Sequence, residues 1–122
     1  MTAPVKVNLD EKLGAFRELW DPKIVAQVND ASVKLVKVKG EFVWHHHEEE
    51  DELFLVVRGR MIIQTRDGDV PLHEGELVVV PRGVEHRPVA KEEAAVLLLE
   101  PSSTLNTGNV RDSRTRDRLE RI

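Results

Sequence analysis

Between Val33 and Leu99 the apolar residues fall in short runs broken by turn residues, the rhythm of an all-β chain. Val33 to Val38 alternates apolar residues with lysine, with one slip, and Gly40 punctuates it. Leu53 to Val57 and Met61 to Thr65 are split by Arg58-Gly59-Arg60, which predicts a hairpin. Asp67-Gly68 predicts a second hairpin, with these two as the central residues of a turn that needs positive φ at both. Val70 to His73 runs into Glu74-Gly75. Leu77 to Val80 ends at Pro81-Arg82-Gly83, a β-turn with proline second and glycine fourth. With His86 to Ala90 and Ala94 to Leu99, six or more strands form the pattern of a sandwich or barrel. Only residues 9–19 carry helical spacing, through Leu9, Leu13, Phe16 and Leu19, with Asn8 as the cap and Pro22 as the stop.

A chain of 122 residues fits one domain that buries a real core. Its expected organisation is an N-terminal arm and first strands over 1–32, a barrel core over 33–100, and a polar tail over 101–122, either an ordered arm or a frayed end. The absence of cysteine excludes disulfides, thiolate metal sites and cysteine nucleophiles, and the absence of tyrosine removes the phenol as acid or base. The formal charge of −4 is uneven: residues 111–121 carry five arginines against three acids, which leaves −6 on residues 1–110. An acidic body argues against nucleic acid as a partner, so the arginines predict a solvated or subunit-contacting tail. No apolar stretch approaches the roughly 20 residues of a membrane span, and nothing near Met1 resembles a signal region, so a cytoplasmic location is expected.

The chemistry concentrates in His45, His46 and His47, followed by Glu48, Glu49, Glu50, Asp51 and Glu52. On a strand, residues two apart share a face, so His45 and His47 converge while His46 faces away. On a helix they would diverge by about 200°. Glu52 lies an odd five positions beyond His47, so a turn or bulge within 48–51 must intervene for it to face inward, followed by Phe54 and Val56. Two imidazoles and a carboxylate suit zinc, iron, manganese, nickel or copper. The opposing reading is a solvated acidic loop. A second segment tips the balance: Gly75, Pro81 and Gly83 supply turns, and His86 re-enters a strand able to point at the same centre.

These two segments resemble the signature motifs of the cupin superfamily. The first reads Gly40, His45, His47, Glu52 and Gly59, with the opening glycine one residue closer to the histidine than the broad pattern has it. The second reads Gly75, Pro81, Gly83 and His86, with Ala90 where the family pattern has asparagine. The run Gly-Glu-Phe-Val-Trp-His followed by Asp-Glu-Leu-Phe is similar to the small single-domain mannose-6-phosphate-isomerase-like group. The resemblance implies a double-stranded β-helix, that is, a jelly-roll barrel, with a divalent transition metal held inside by His45, His47, Glu52 and His86.

Around this centre, Asp51 is expected either to orient a ligand histidine or merely to solvate the loop. His46 and His73 are expected to be non-ligands, Phe54, Val43 and Met61 to be core, and Arg82 and Glu85 to lie at the mouth. Phe42 and Trp44 would form an outward apolar patch, a hint of a homodimer. The acids at 48–51 weigh against a sugar-phosphate substrate. The expected function is a metal-binding cupin acting on a small molecule by oxygenase- or isomerase-type chemistry. The alternative is a non-catalytic ligand-binding or metal-stabilised barrel, marked by a closed coordination sphere or an apolar, filled interior. No general base is evident beyond Glu52.

Overall fold

The computed structural model describes residues 3–122, and its backbone is almost wholly antiparallel β. The elements run α1 (Leu9–Leu13), β1 (Lys23–Val28), β2 (Ala31–Glu41), β3 (Glu52–Arg58), β4 (Arg60–Thr65), β5 (Gly68–His73), β6 (Leu77–Val80) and β7 (His86–Pro101). The backbone of the architecture is a long ribbon in which β2 pairs with β7 from Ala31↔Pro101 to Glu41↔Val89. A register break opposite Lys91–Glu93 bends this ribbon, and the two halves of β7 then recruit different partners. Its second half pairs with β3, which pairs onward with β6; its first half pairs with β4, which pairs with β5. Folding the sheet at the bend closes it around Val36, Val38, Phe54, Val56, Met61 and Ile63. This is the barrel expected from the motifs.

The bend explains several departures from the sequence reading. His86–Ala90 and Ala94–Leu99 are one strand of 16 residues, because β2 spans the break that the polar Lys91-Glu92-Glu93 suggests. β3 and β4 do not form a hairpin. Each pairs with a different half of β7, so Arg58-Gly59-Arg60 is a corner between the two faces of the barrel. Gly59, at φ +79°, takes that corner with its backbone so near β7 that a Cβ would lie 3.2 Å from the Glu93 carbonyl oxygen. The β4–β5 hairpin is present, but Thr65 pairs with Gly68, so its central residues are Arg66 and Asp67. The Thr65 hydroxyl, which donates to the Gly68 carbonyl and accepts from the Asp67 N–H, holds this turn instead of two positive φ angles. At Pro81 the turn closes through Val84 N–H to the Pro81 carbonyl, which puts Gly83, at φ +81°, third rather than fourth.

The helix is five residues long. Asn8 caps it as expected, its Oδ1 accepting from Glu11 N–H at 3.0 Å, but Gly14 ends it well before Pro22. Leu13 and Phe16 nevertheless bury against Leu35 and Ala95 on the outer face of the sheet, which is why β2 is apolar on both sides there and its alternation slips. Residues 101–122 form an ordered arm rather than a frayed tail. Ile24 N–H donates to Glu120 and Ile122 N–H to Ile24, tying the end of the chain to β1. Three of the five arginines engage the chain itself: Arg111 pairs with Asp117, Arg114 donates to the Glu41 carbonyl, and Arg116 donates to the Ser113 carbonyl. The outward Phe42–Trp44 patch is also absent. Phe42 is buried and stacked on Trp20 at 4.8 Å, and the Arg66 guanidinium covers Trp44 at 3.7 Å. None of the helices among the described residues is long and apolar enough to cross a membrane.

Candidate metal centre

His45, His47, Glu52 and His86 meet inside the barrel, with one potential ligand atom from each all within 4.8 Å of one another. All four are buried. The local backbone explains the convergence. His45 and His86 form an antiparallel bridge, each N–H donating to the other's carbonyl at 3.0 and 2.9 Å, so their rings sit side by side at 4.4 Å between centroids. His47 is placed from the other side by the second motif, its carbonyl accepting from Gly83 N–H at 2.7 Å. Residues 46–51 leave regular strand geometry, which resets the alternation so that β3 begins with Glu52 facing inward, ahead of Phe54 and Val56.

The rings are turned for coordination. His45 Nδ1 and His86 Nδ1 each lie 2.9 Å from a backbone carbonyl, of Val43 and Val84, so these nitrogens carry the proton and Nε2 is left as the donor. Glu52 Oε1 stands 3.3 Å from both His47 Nε2 and His86 Nε2. Yet Glu52 Oε1, His47 Nε2 and His86 Nε2 are buried without a hydrogen-bond partner. Buried polar atoms are ordinarily satisfied, and three such atoms in one compact cluster are donors that a bound cation would satisfy. Burial, with the neighbouring His86, pushes His45 down to about 4, which keeps it neutral as a metal ligand must be. Burial works to raise the Glu52 carboxyl, but the close His47 and His86 imidazoles overcome it and hold the group well below the ordinary carboxylate range. The donor set fits a divalent transition ion.

The other expectations divide. His46 lies outside the cluster and reaches Glu48 at 3.2 Å, and His73 is exposed. Asp51 does not orient a ligand: it accepts from Arg82 N–H at 2.9 Å, and backbone carbonyls take the orienting role instead. Glu85 pairs with Arg66 at the surface. Phe54 and Met61 are buried as expected, whereas Val43 is half-buried.

Sequence reasoning missed a second pair of buried charges. Lys34 Nζ lies 2.7 Å from Glu100 Oε1, with both side chains almost fully enclosed. The Glu100 carboxyl is within hydrogen-bonding reach of Glu52, and burial and the Glu52 charge push it well above the ordinary range against the pull of Lys34. Parity carried the signal: Lys34 falls in step with the inward Val36 and Val38, and Glu100 with Val96 and Leu98. Beside Glu100 and His45 is a cavity of about 40 Å³ with otherwise mostly apolar walls, among them Trp20, Phe42, Phe54 and Met61. That volume holds about three waters.

The arm was also unread as part of the site. Its turn at 107–109 lies against His45 and His46: His46 N–H donates to Asn109 Oδ1 at 2.8 Å, and Asn109 N–H to the His46 carbonyl at 3.1 Å.

Residues 33–100, more than half of the chain, match the family model for the Cupin domain. A crystal structure of a cupin-2 domain containing protein from Shewanella frigidimarina NCIMB 400 superimposes with a TM-score of 0.77 at 46% identity, covering 78% of this chain and 93% of that one. Acireductone dioxygenase from Bacillus subtilis is 32% identical over 78 residues, 60% of this chain and 44% of the relative. The 3-hydroxyanthranilate 3,4-dioxygenase of Jannaschia sp. is 30% identical over 98 residues, 77% of this chain and 54% of the relative. The chain thus spans about half the length of these curated relatives. With a bent β2–β7 ribbon enclosing three histidines and a glutamate, and a family match across that ribbon, this chain belongs to the cupin family.

Proposed function

We propose that the protein is a metal-dependent cupin in which His45, His47, Glu52 and His86 hold one divalent transition ion, and that its chemistry on a small molecule is of the oxygenase type. The observation that carries the reading is the set of three buried, unpartnered donor atoms converging on one point. Two dioxygenases among the relatives support the choice of chemistry. These four residues would hold such an ion, which would supply Lewis-acid or redox chemistry to the bound molecule.

The chain's own residues supply the rest. The Val43 and Val84 carbonyls fix the two imidazoles in the tautomer that presents Nε2. The apolar walls exclude bulk water from the bound molecule. Glu100, fixed through Oε1 by Lys34, lines the wall with His45 and Asn106 and has its other oxygen, Oε2, free to hydrogen-bond a hydroxyl of that molecule. It is also the acid–base candidate that the sequence reading lacked.

A second reading has a specific observation behind it. A cavity of about 40 Å³ with apolar walls is nearly filled, as expected for a barrel that binds a ligand or an ion without turnover. Protein loaded with iron(II), supplied in turn with acireductone and 3-hydroxyanthranilate in an oxygen electrode, separates the two. Oxygen uptake that depends on His47 and is diminished in Glu100→Gln supports the first. One bound iron per chain without uptake on either compound favours the second.

A further inference from the structure

The arm beyond the family-matched span meets the candidate centre at its turn over residues 107–109, which is built closely. Gly108 lies against the His45–His46 backbone: a Cβ built on it would collide with the His46 carbonyl oxygen and stand 3.0 Å from Cδ2 of the His45 ring. No residue but glycine suits both that gap and the backbone there, at φ +57°. On one side of it Thr107 is fully buried, its hydroxyl 2.7 Å from that of Thr115, which anchors the turn to the rest of the arm. On the other side Asn109 takes both backbone groups of His46. His46 is thereby fixed between two ligand histidines whose own backbones are held elsewhere, His45 by His86 and His47 by Gly83.

We propose that Gly108 and Asn109 are positioning residues of the metal centre: the turn is a rigid seat that sets the His45 ring and the spacing of His45 to His47. The proposal rests on the metal reading above and adds to it a part of the chain outside residues 33–100. Groups that orient ligands typically change metal affinity by about 10- to 100-fold when lost.

The test compares two glycine variants of the full chain, Gly108→Ala and Gly75→Ala, with cobalt(II) as the probe. Gly75 has φ +82° and nothing within 4 Å of a built Cβ, so it incurs the same kind of backbone strain far from the arm. Cobalt affinity is measured by competition with a chelator, coordination by the visible absorption of the bound ion, and folding of the metal-free proteins by circular dichroism. Gly108→Ala is expected to weaken cobalt about tenfold or more and to alter the absorption bands, while Gly75→Ala stays within about twofold of the unaltered chain. Asn109→Ala is expected to weaken cobalt by a smaller factor, and Asn109→Asp, which keeps the accepting oxygen, to restore it. Should Gly108→Ala not fold, the Asn109 pair alone decides. Equal affinities and unchanged spectra in the arm variants overturn the seat and leave the metal reading standing. Failure of the unaltered chain to bind cobalt overturns both.

Discussion

The barrel encloses two clusters of ionisable groups, and they differ in how complete they are. Lys34 and Glu100 meet at 2.7 Å through Glu100 Oε1, which leaves one atom of the pair, Glu100 Oε2, without a partner. His45, His47, Glu52 and His86 bring one carboxylate to three imidazoles and leave three donor atoms unpartnered. The pair meets its polar needs largely within itself, whereas the four-residue cluster leaves most of its inward atoms open, as a cluster that holds an ion would. Glu100 links the two, because its carboxyl lies within reach of Glu52.

The largest expected effect is on the incomplete cluster. His47→Ala should abolish stoichiometric metal, measured by elemental analysis, with the far-ultraviolet circular dichroism of a β-barrel retained; unchanged metal content would mean that the cluster is not the receptor. Next in size, metal at about a thousandfold above its dissociation constant should stabilise the fold by about 4 kcal/mol. In scanning calorimetry a domain of this size would show this as a rise in Tm of roughly 15 °C, which a chelator reverses. His47→Ala should show no such rise.

The Lys34–Glu100 pair should respond to loss of a partner more than to metal. Glu100→Leu leaves the Lys34 ammonium buried alone and should cost about 3–5 kcal/mol in denaturant unfolding, whereas Lys34→Met combined with Glu100→Leu should recover most of that loss. A double variant no more stable than the single one would show that the pair is not the unit. The smallest effect belongs at the rim: Asp51→Ala breaks exposed contacts to Arg82 and should leave both the unfolding midpoint and the metal content unchanged.

Much of this was legible in the chain before folding. The meeting of the four side chains was anticipated: strand parity brings His45 and His47 to one face, and the resemblance to the cupin motifs adds Glu52 and His86. What sequence did not reveal depends on pairing between distant segments. The turn at Arg58-Gly59-Arg60 has a hairpin's composition, and only the bend in β7 sends its two strands to opposite faces. Lys34 was hidden by the slip in its own strand, where Leu13 of the helix and Phe16 just beyond it cover the outer side and make both faces apolar. Gly108 and Asn109 sit in a polar stretch with no periodicity, and their role exists only where the arm returns to His46.

X-ray absorption of the zinc-loaded chain tests the central claim most directly. The account predicts one zinc per chain, nitrogen and oxygen donors at about 2.0–2.2 Å, and outer-shell scattering from three imidazoles. Less than stoichiometric zinc, or a coordination shell without imidazole scattering, would contradict it.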